Sequence, residues 1–242
     1  MTTPPPHPVR QLGLVVPPAG DVVPPDGSLL YGSRARFIAR GLGLPEISSR
    51  GYDEVIDAVA ARAASLAEVG VAAISLMGTS LSFYRGATFA DQIVREMALH
   101  TGLPCTSMSH AIVRGLGELG LRKIAVATAY IDDVNDRLLR FLAEHDITAL
   151  AIAGLSITGV REVGEVTTST LVELCERVWT QTRGAEGILI SCGGLLTLET
   201  IGIVEARLGV PVVSSSPAGF WDLMRAGGGG SAAPGRGRLF ER

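Results

Sequence analysis

The chain has 242 residues and a formal net charge of −3, and 47% of it is hydrophobic with only 5% aromatic, so its core must be mainly aliphatic. That charge gives no electrostatic basis for binding nucleic acid or an acidic membrane, and no apolar run approaches the ~18–20 residues that span a bilayer. Three widely spaced cysteines, Cys105, Cys175 and Cys192, disfavour a disulfide framework and a metal site such as zinc, and point to a reducing, cytoplasmic compartment.

The opening MTTPPPHPVR has neither a basic nor an apolar targeting segment, so no signal peptide is expected. Short aliphatic runs at 12–16 (LGLVV), 72–77 (AAISLM), 123–128 (KIAVAT) and 187–191 (GILIS) read as buried parallel strands. Residues 104–107 and 211–214 look like shorter ones, and 148–153 carries a less continuous run. Between them 53–69, 88–100, 134–145, 169–182 and 198–208 have helical period. In the fourth of these Leu171, Leu174, Cys175 and Val178 share one face, behind a cap at Thr168 or Ser169. This alternation predicts an α/β protein with parallel sheets. The glycine-rich tail over 227–242 is expected to be mobile.

An internal repeat sharpens the prediction. AISLMGTSL lies on ILISCGGL so that Gly78 meets Cys192, Thr79 meets Gly193 and Leu81 meets Leu195. Each segment leads through a helix to a similar strand entry, TGLPCTSMS or LGVPVVSSS. The start, residues 10–18, likewise falls on residues 122–130. Two similar Rossmann-like or flavodoxin-like halves follow, 9–118 and 119–216, with a helix near 217–226 packing back on the first. In open parallel sheets ligands bind beyond the carboxyl ends of strands. A cleft between the halves would then be lined by Pro17, Pro18, Gly78, Thr79, Ser80, Tyr130, Cys192, Gly193 and Gly194.

Cys175 and Cys105 read as small buried hydrophobes. Cys192 differs, because it ends a strand and opens a Gly-Gly turn where backbone N–H groups can act on a thiol or an anion. Thr79 and Ser80 either cap a helix or bind a carboxylate or enolate oxygen, and Tyr130 either packs or adds a phenol donor. His7, His100, His110 and His145 join no catalytic pattern. Asp132, Asp133 and Asp136 read as a helix N-terminus. There is no Walker or dinucleotide-binding motif.

Two α/β halves with facing strand-end thiols describe the aspartate/glutamate racemase superfamily, which this chain resembles over most of its length. The segments VVPPAG, LMGTSLSFYRG, ATAYIDDVN, SCGGLLTL and VPVVSSSPAGFWD carry the likeness. The first thiol position holds Gly78, and in this the sequence resembles the arylmalonate decarboxylases of that superfamily. The resemblance implies loss of CO₂ from a disubstituted malonate, without metal or organic cofactor. An enediolate would be held by Thr79, Ser80, Tyr130 and backbone N–H groups around Ser80, Cys192 and Gly193, then protonated on one face by Cys192. The departing carboxylate would face an apolar pocket of Pro17, Leu44, Ile47, Tyr52, Val160 and Val163, with Leu81 and Gly194 also at the substrate. Val163 would widen that pocket, since a relative carries a larger side chain there. The implied partner is a small dicarboxylate, and a monomer is expected. A racemase or maleate-type isomerase of the same superfamily would need a second acid/base where Gly78 stands, and a non-catalytic carboxylate-binding protein would not need Cys192.

Overall fold

The computed structural model describes residues 9–241. The opening segment read for targeting signals, His7 included, lies outside the described residues except for its last two positions. The first half runs β1 (Arg10–Val16), α1 (Pro25–Tyr31), β2 (Ala35–Gly41), α2 (Ser49–Val55), α3 (Val59–Ala67), β3 (Ile74–Leu76), α4 (Thr79–Phe83), α5 (Ala87–Thr101), β4 (Cys105–Ser107) and α6 (Met108–Glu118). The second runs β5 (Lys123–Thr128), α7 (Asp132–Ala143), β6 (Thr148–Gly154), α8 (Val160–Val163), α9 (Thr168–Thr180), β7 (Gly187–Ser191), α10 (Leu198–Leu208), β8 (Val212–Ser214) and α11 (Ser215–Ala226).

The two parallel sheets have orders β2-β1-β3-β4 and β6-β5-β7-β8, the same topology shifted by four strands. That identity is the structural form of the sequence repeat. Their inner strands are mainly aliphatic, and Leu12, Leu14, Ile124, Val126, Ile188 and Ile190 are all fully buried, as in parallel sheets covered by helices. The order reverses between β1 and β3 in one sheet and between β5 and β7 in the other. Register pairs Val15 with Leu76 and Thr128 with Ser191, so the carboxyl ends of each inner pair finish side by side. Those are the positions at which Pro17, Gly78, Tyr130 and Cys192 emerge.

Strand β2 was not expected. Its sequence ARFIARG interleaves arginines with apolar residues, as suits an edge strand paired on one side only, with β1. Helix α6 was also unforeseen, since Gly115 and Gly117 dilute its helical signal. It packs against α11, which in turn touches α1 and β4, so the last helix lies on the first half.

Polar links join the halves around the cleft, among them Ser49 Oγ, which donates to Asp133 at 3.0 Å. Ile47 N–H donates to Thr158 C=O at 2.8 Å. The Arg137 guanidinium donates to Tyr84 C=O at 3.0 Å, and Ala87 N–H donates to Glu144 at 2.6 Å. The stretch after Gly227, expected from composition to be mobile, is packed. Leu239 and Phe240 are buried, the Tyr31 hydroxyl donates to Ser231 C=O at 2.7 Å, and Arg238 N–H donates to Glu205. Two aromatic or aliphatic anchors near the end outweigh four consecutive glycines.

Candidate active site

A cavity of about 240 Å³ opens at the carboxyl ends of β1, β3 and β7. Gly78, Thr79, Ser80 and Leu81 line it from the β3–α4 turn, and Cys192, Gly193 and Gly194 from the turn after β7. Pro17 and Pro18 follow β1. Leu44 and Ile47 reach it from the first half, Val160 and Val163 from α8 in the second. Thirteen expected residues thus meet in one chamber built by both halves. Tyr52 and Tyr130 do not line it. Both are fully buried behind it, and their hydroxyls lie in the same cluster as Ser80 and Cys192.

The environment of Cys192 favours the protonated thiol, with no base beside it among the described residues. It is 5% exposed, and burial pushes it up to about 11, against the lowering effect of Gly194 N–H, the Tyr130 hydroxyl and Leu195 N–H. At neutral pH it therefore holds its proton. The same three donors would stabilise the thiolate left after the proton departs. No histidine among the described residues stands near it: His110 bonds Ser107 and Asp91, His100 bonds Glu96 C=O of its own helix, and His145 packs edge-on to Phe141. Cys105 opens β4, at the end of the sheet away from the cavity, and Cys175 sits buried in α9.

Tyr130 is held from both sides. Its N–H donates to the Thr128 hydroxyl at 3.1 Å, which donates to Asn135 at 2.7 Å, while Ser191 reaches the phenol at 3.4 Å. Burial raises the phenol well above its ordinary value, ahead of the nearby thiol and the Tyr52 phenol, so it stays a donor. The Tyr52 phenol is raised too, by burial first, and its hydroxyl faces Ser80 without reaching hydrogen-bond geometry with any partner. In the first turn of α4 the N–H groups of Thr79, Ser80 and Leu81 precede the first intrahelical bond, Ser82 N–H to Gly78 C=O, and remain available.

Two details depart from expectation. The Cys192 N–H, expected to face substrate, donates to Ser215 Oγ at 3.3 Å. The neighbouring Gly193 N–H makes no hydrogen bond to protein among the described residues. The Thr79 hydroxyl is not idle either, for it donates to Met108 Sδ at 3.2 Å, a weak acceptor that it can leave. Met108 also explains Gly193, where a Cβ would lie 2.6 Å from that sulfur. Ser215, Ser191 and Met108 carried no functional signal in the sequence, because what sets them at the site is contact between distant segments. Asp133 serves the interface, bonding Arg137 at 3.1 Å and Ser49 at 3.0 Å.

The family model described as arylmalonate decarboxylase matches residues 12–240. The chain is 55% identical over 231 residues to an arylmalonate decarboxylase of Bordetella bronchiseptica, covering 95% of this chain and 96% of that one. A liganded crystal structure of a Gly-to-Cys, Cys-to-Ser double mutant of arylmalonate decarboxylase superposes with a TM-score of 0.94 at 53% identity, over 96% of this chain and 99% of that one. A maleate isomerase from Pseudomonas putida S16 shares the fold, with a TM-score of 0.88 at 18% identity over 96% and 98% of the two chains. The chain belongs to the arylmalonate decarboxylase family and is a carboxy-lyase.

Proposed function

We propose that the protein decarboxylates α-disubstituted arylmalonates to single enantiomers of 2-arylalkanoates, through an enediolate protonated by Cys192. The observation that carries this reading is a buried, neutral thiol on one wall of the cavity and Gly78 on the other. One carboxylate lies against the Thr79 and Ser80 hydroxyls, the first-turn N–H groups of α4 and Gly193 N–H, with Tyr130 behind them. When CO₂ leaves, these donors meet an enediolate whose oxygens carry more charge than the substrate's, so the donors favour the transition state over the ground state. The departing carboxylate faces Leu44, Ile47, Val160 and Val163, which offer it no hydrogen bonds from their side chains. Cys192 then delivers its proton to the near face of the carbanion. Gly78 supplies none to the far face.

Incubation with α-methyl-α-phenylmalonate should release CO₂ and 2-phenylpropionate in the presence of EDTA. Binding of the malonate without CO₂ release would mark the non-catalytic alternative. Val163 is buried, with its Cγ1 3.0 Å from where a Gly194 Cβ would sit, so a longer side chain can extend only into the cavity or into that turn. Val163→Met is expected to lower kcat/KM for a naphthyl substrate roughly tenfold more than for the phenyl one, in line with an overpacking cost of about 1–3 kcal/mol. A uniform change across ring sizes would show that Val163 does not set the width.

A further inference from the structure

Among the described residues Asp26 is the one charged side chain in the cavity wall, and nothing in the chemistry above uses it. It is 2% exposed, and its Oδ2 is buried without a hydrogen-bond partner. The nearby Ser216 Oγ, in the first turn of α11, is likewise buried and unpartnered. Burial pushes the Asp26 carboxyl up to about 6, against the lowering effect of the Ser216 hydroxyl. Near neutral pH it is thus an ionised acceptor that has lost water without gaining a full set of donors, which is costly unless a ligand supplies them.

The position of Asp26 says which part of a ligand that would be. The retained carboxylate is claimed by the donors around Ser80 and Gly193, and the departing one by the apolar side chains of Leu44, Ile47, Val160 and Val163. Either carboxylate would be repelled by Asp26. The remaining substituent, the ring, is left to the wall formed by residues 22–25, VVPP, which ends at Asp26.

We propose that Asp26, with Ser216 beside it, is the polar end of the ring subsite, and that it selects arylmalonates whose ring bears a hydrogen-bond donor such as a phenolic hydroxyl or a ring N–H. This rests on the decarboxylase reading and names the substrate class of the same cavity. A site built to bond a hydroxyl discriminates strongly against the analogue that lacks it, because its own polar group is then left unpaired.

The test compares 3- and 4-hydroxyphenyl with phenyl α-methylmalonate at pH 8, in the wild type and in Asp26→Ala. The intrinsic effect of the hydroxyl on carbanion stability cancels when the hydroxyl-to-phenyl ratio of kcat/KM is compared between proteins. That ratio is expected to fall at least tenfold in Asp26→Ala for one of the two isomers. Asp26→Asn keeps the shape where Asp26→Ala fails to fold, and should lower the ratio about threefold. Calorimetric binding of the matching 2-arylpropionates to the wild type reads the subsite without turnover, and the hydroxylated acid should bind about tenfold tighter. If CO₂ release fails with every substrate while that binding preference holds, the decarboxylase reading falls and the subsite stands. Ratios and affinities within twofold of each other for both isomers would overturn the subsite.

Discussion

Cys192→Ala is expected to slow decarboxylation by about 10²–10⁴-fold, the range for losing a positioned general acid. The loss should fall on kcat, with KM little changed, because the groups that hold the substrate remain in place. The thiol is buried among Gly194 N–H, Leu195 N–H and the Tyr130 hydroxyl. Its removal takes an acceptor from Gly194 N–H and the Tyr130 hydroxyl, while Leu195 N–H keeps the Cys192 carbonyl at 3.3 Å. The fold should survive, at a cost of roughly 1–2 kcal/mol, since only one heavy atom leaves the core. Steady-state kinetics with α-methyl-α-phenylmalonate, alongside thermal unfolding, separates the two effects. A kcat near that of the wild type would remove the thiol from the chemistry.

Gly78→Cys is expected to give the protein a second acid/base on the opposite face. It should then exchange the α-proton of a 2-arylpropionate with solvent and racemise it. The backbone permits the substitution, because Gly78 has φ −122° and ψ 98°, an extended conformation open to any side chain. Space is tighter: a Cβ there would lie 3.0 Å from Pro17 Cγ and 3.2 Å from Leu81 Cβ. A few tenths of an ångström must come from the proline ring, so some stability is lost. Glycine at this position is therefore demanded neither by dihedral strain nor by a hard backbone clash, and in the proposed mechanism its role is to leave that face without a proton donor. Deuterium at the α-carbon, followed by NMR in D₂O, checks the expectation, and no uptake by a folded variant would show that the two faces are not equivalent.

The inner strands were legible because burial on both faces makes them continuous aliphatic runs, and the repeat was legible because both halves place small residues at the same strand ends. Matching Gly78 to Cys192 was enough to place two facing turns. Edge strand β2 and helix α6 escaped notice because arginines and glycines break the patterns by which such elements are recognised. The packed tail escaped for the opposite reason: composition speaks of the glycines, whereas Leu239 and Phe240 decide where the segment lies. At the site, residues on the two strand-end turns could be named from sequence. The partners that tune them could not, since the contacts of Ser215 with Cys192 and of Met108 with Thr79 join segments 23 and 29 residues apart. Asp26 drew no reading from the sequence, where a single carboxylate at the start of a short helix matches no motif. Only the cavity shows that its carboxyl is buried there without a full set of partners.

The central claim is that one neutral thiol protonates one face of the intermediate. Its most direct measurement is the enantiomeric composition of 2-phenylpropionate formed from α-methyl-α-phenylmalonate by the wild type and by Cys192→Ala, at equal conversion. The wild type is predicted to give essentially one enantiomer, and the slow residual reaction of the variant a nearly racemic acid. A racemic product from the wild type, or the same single enantiomer from both proteins, would contradict it.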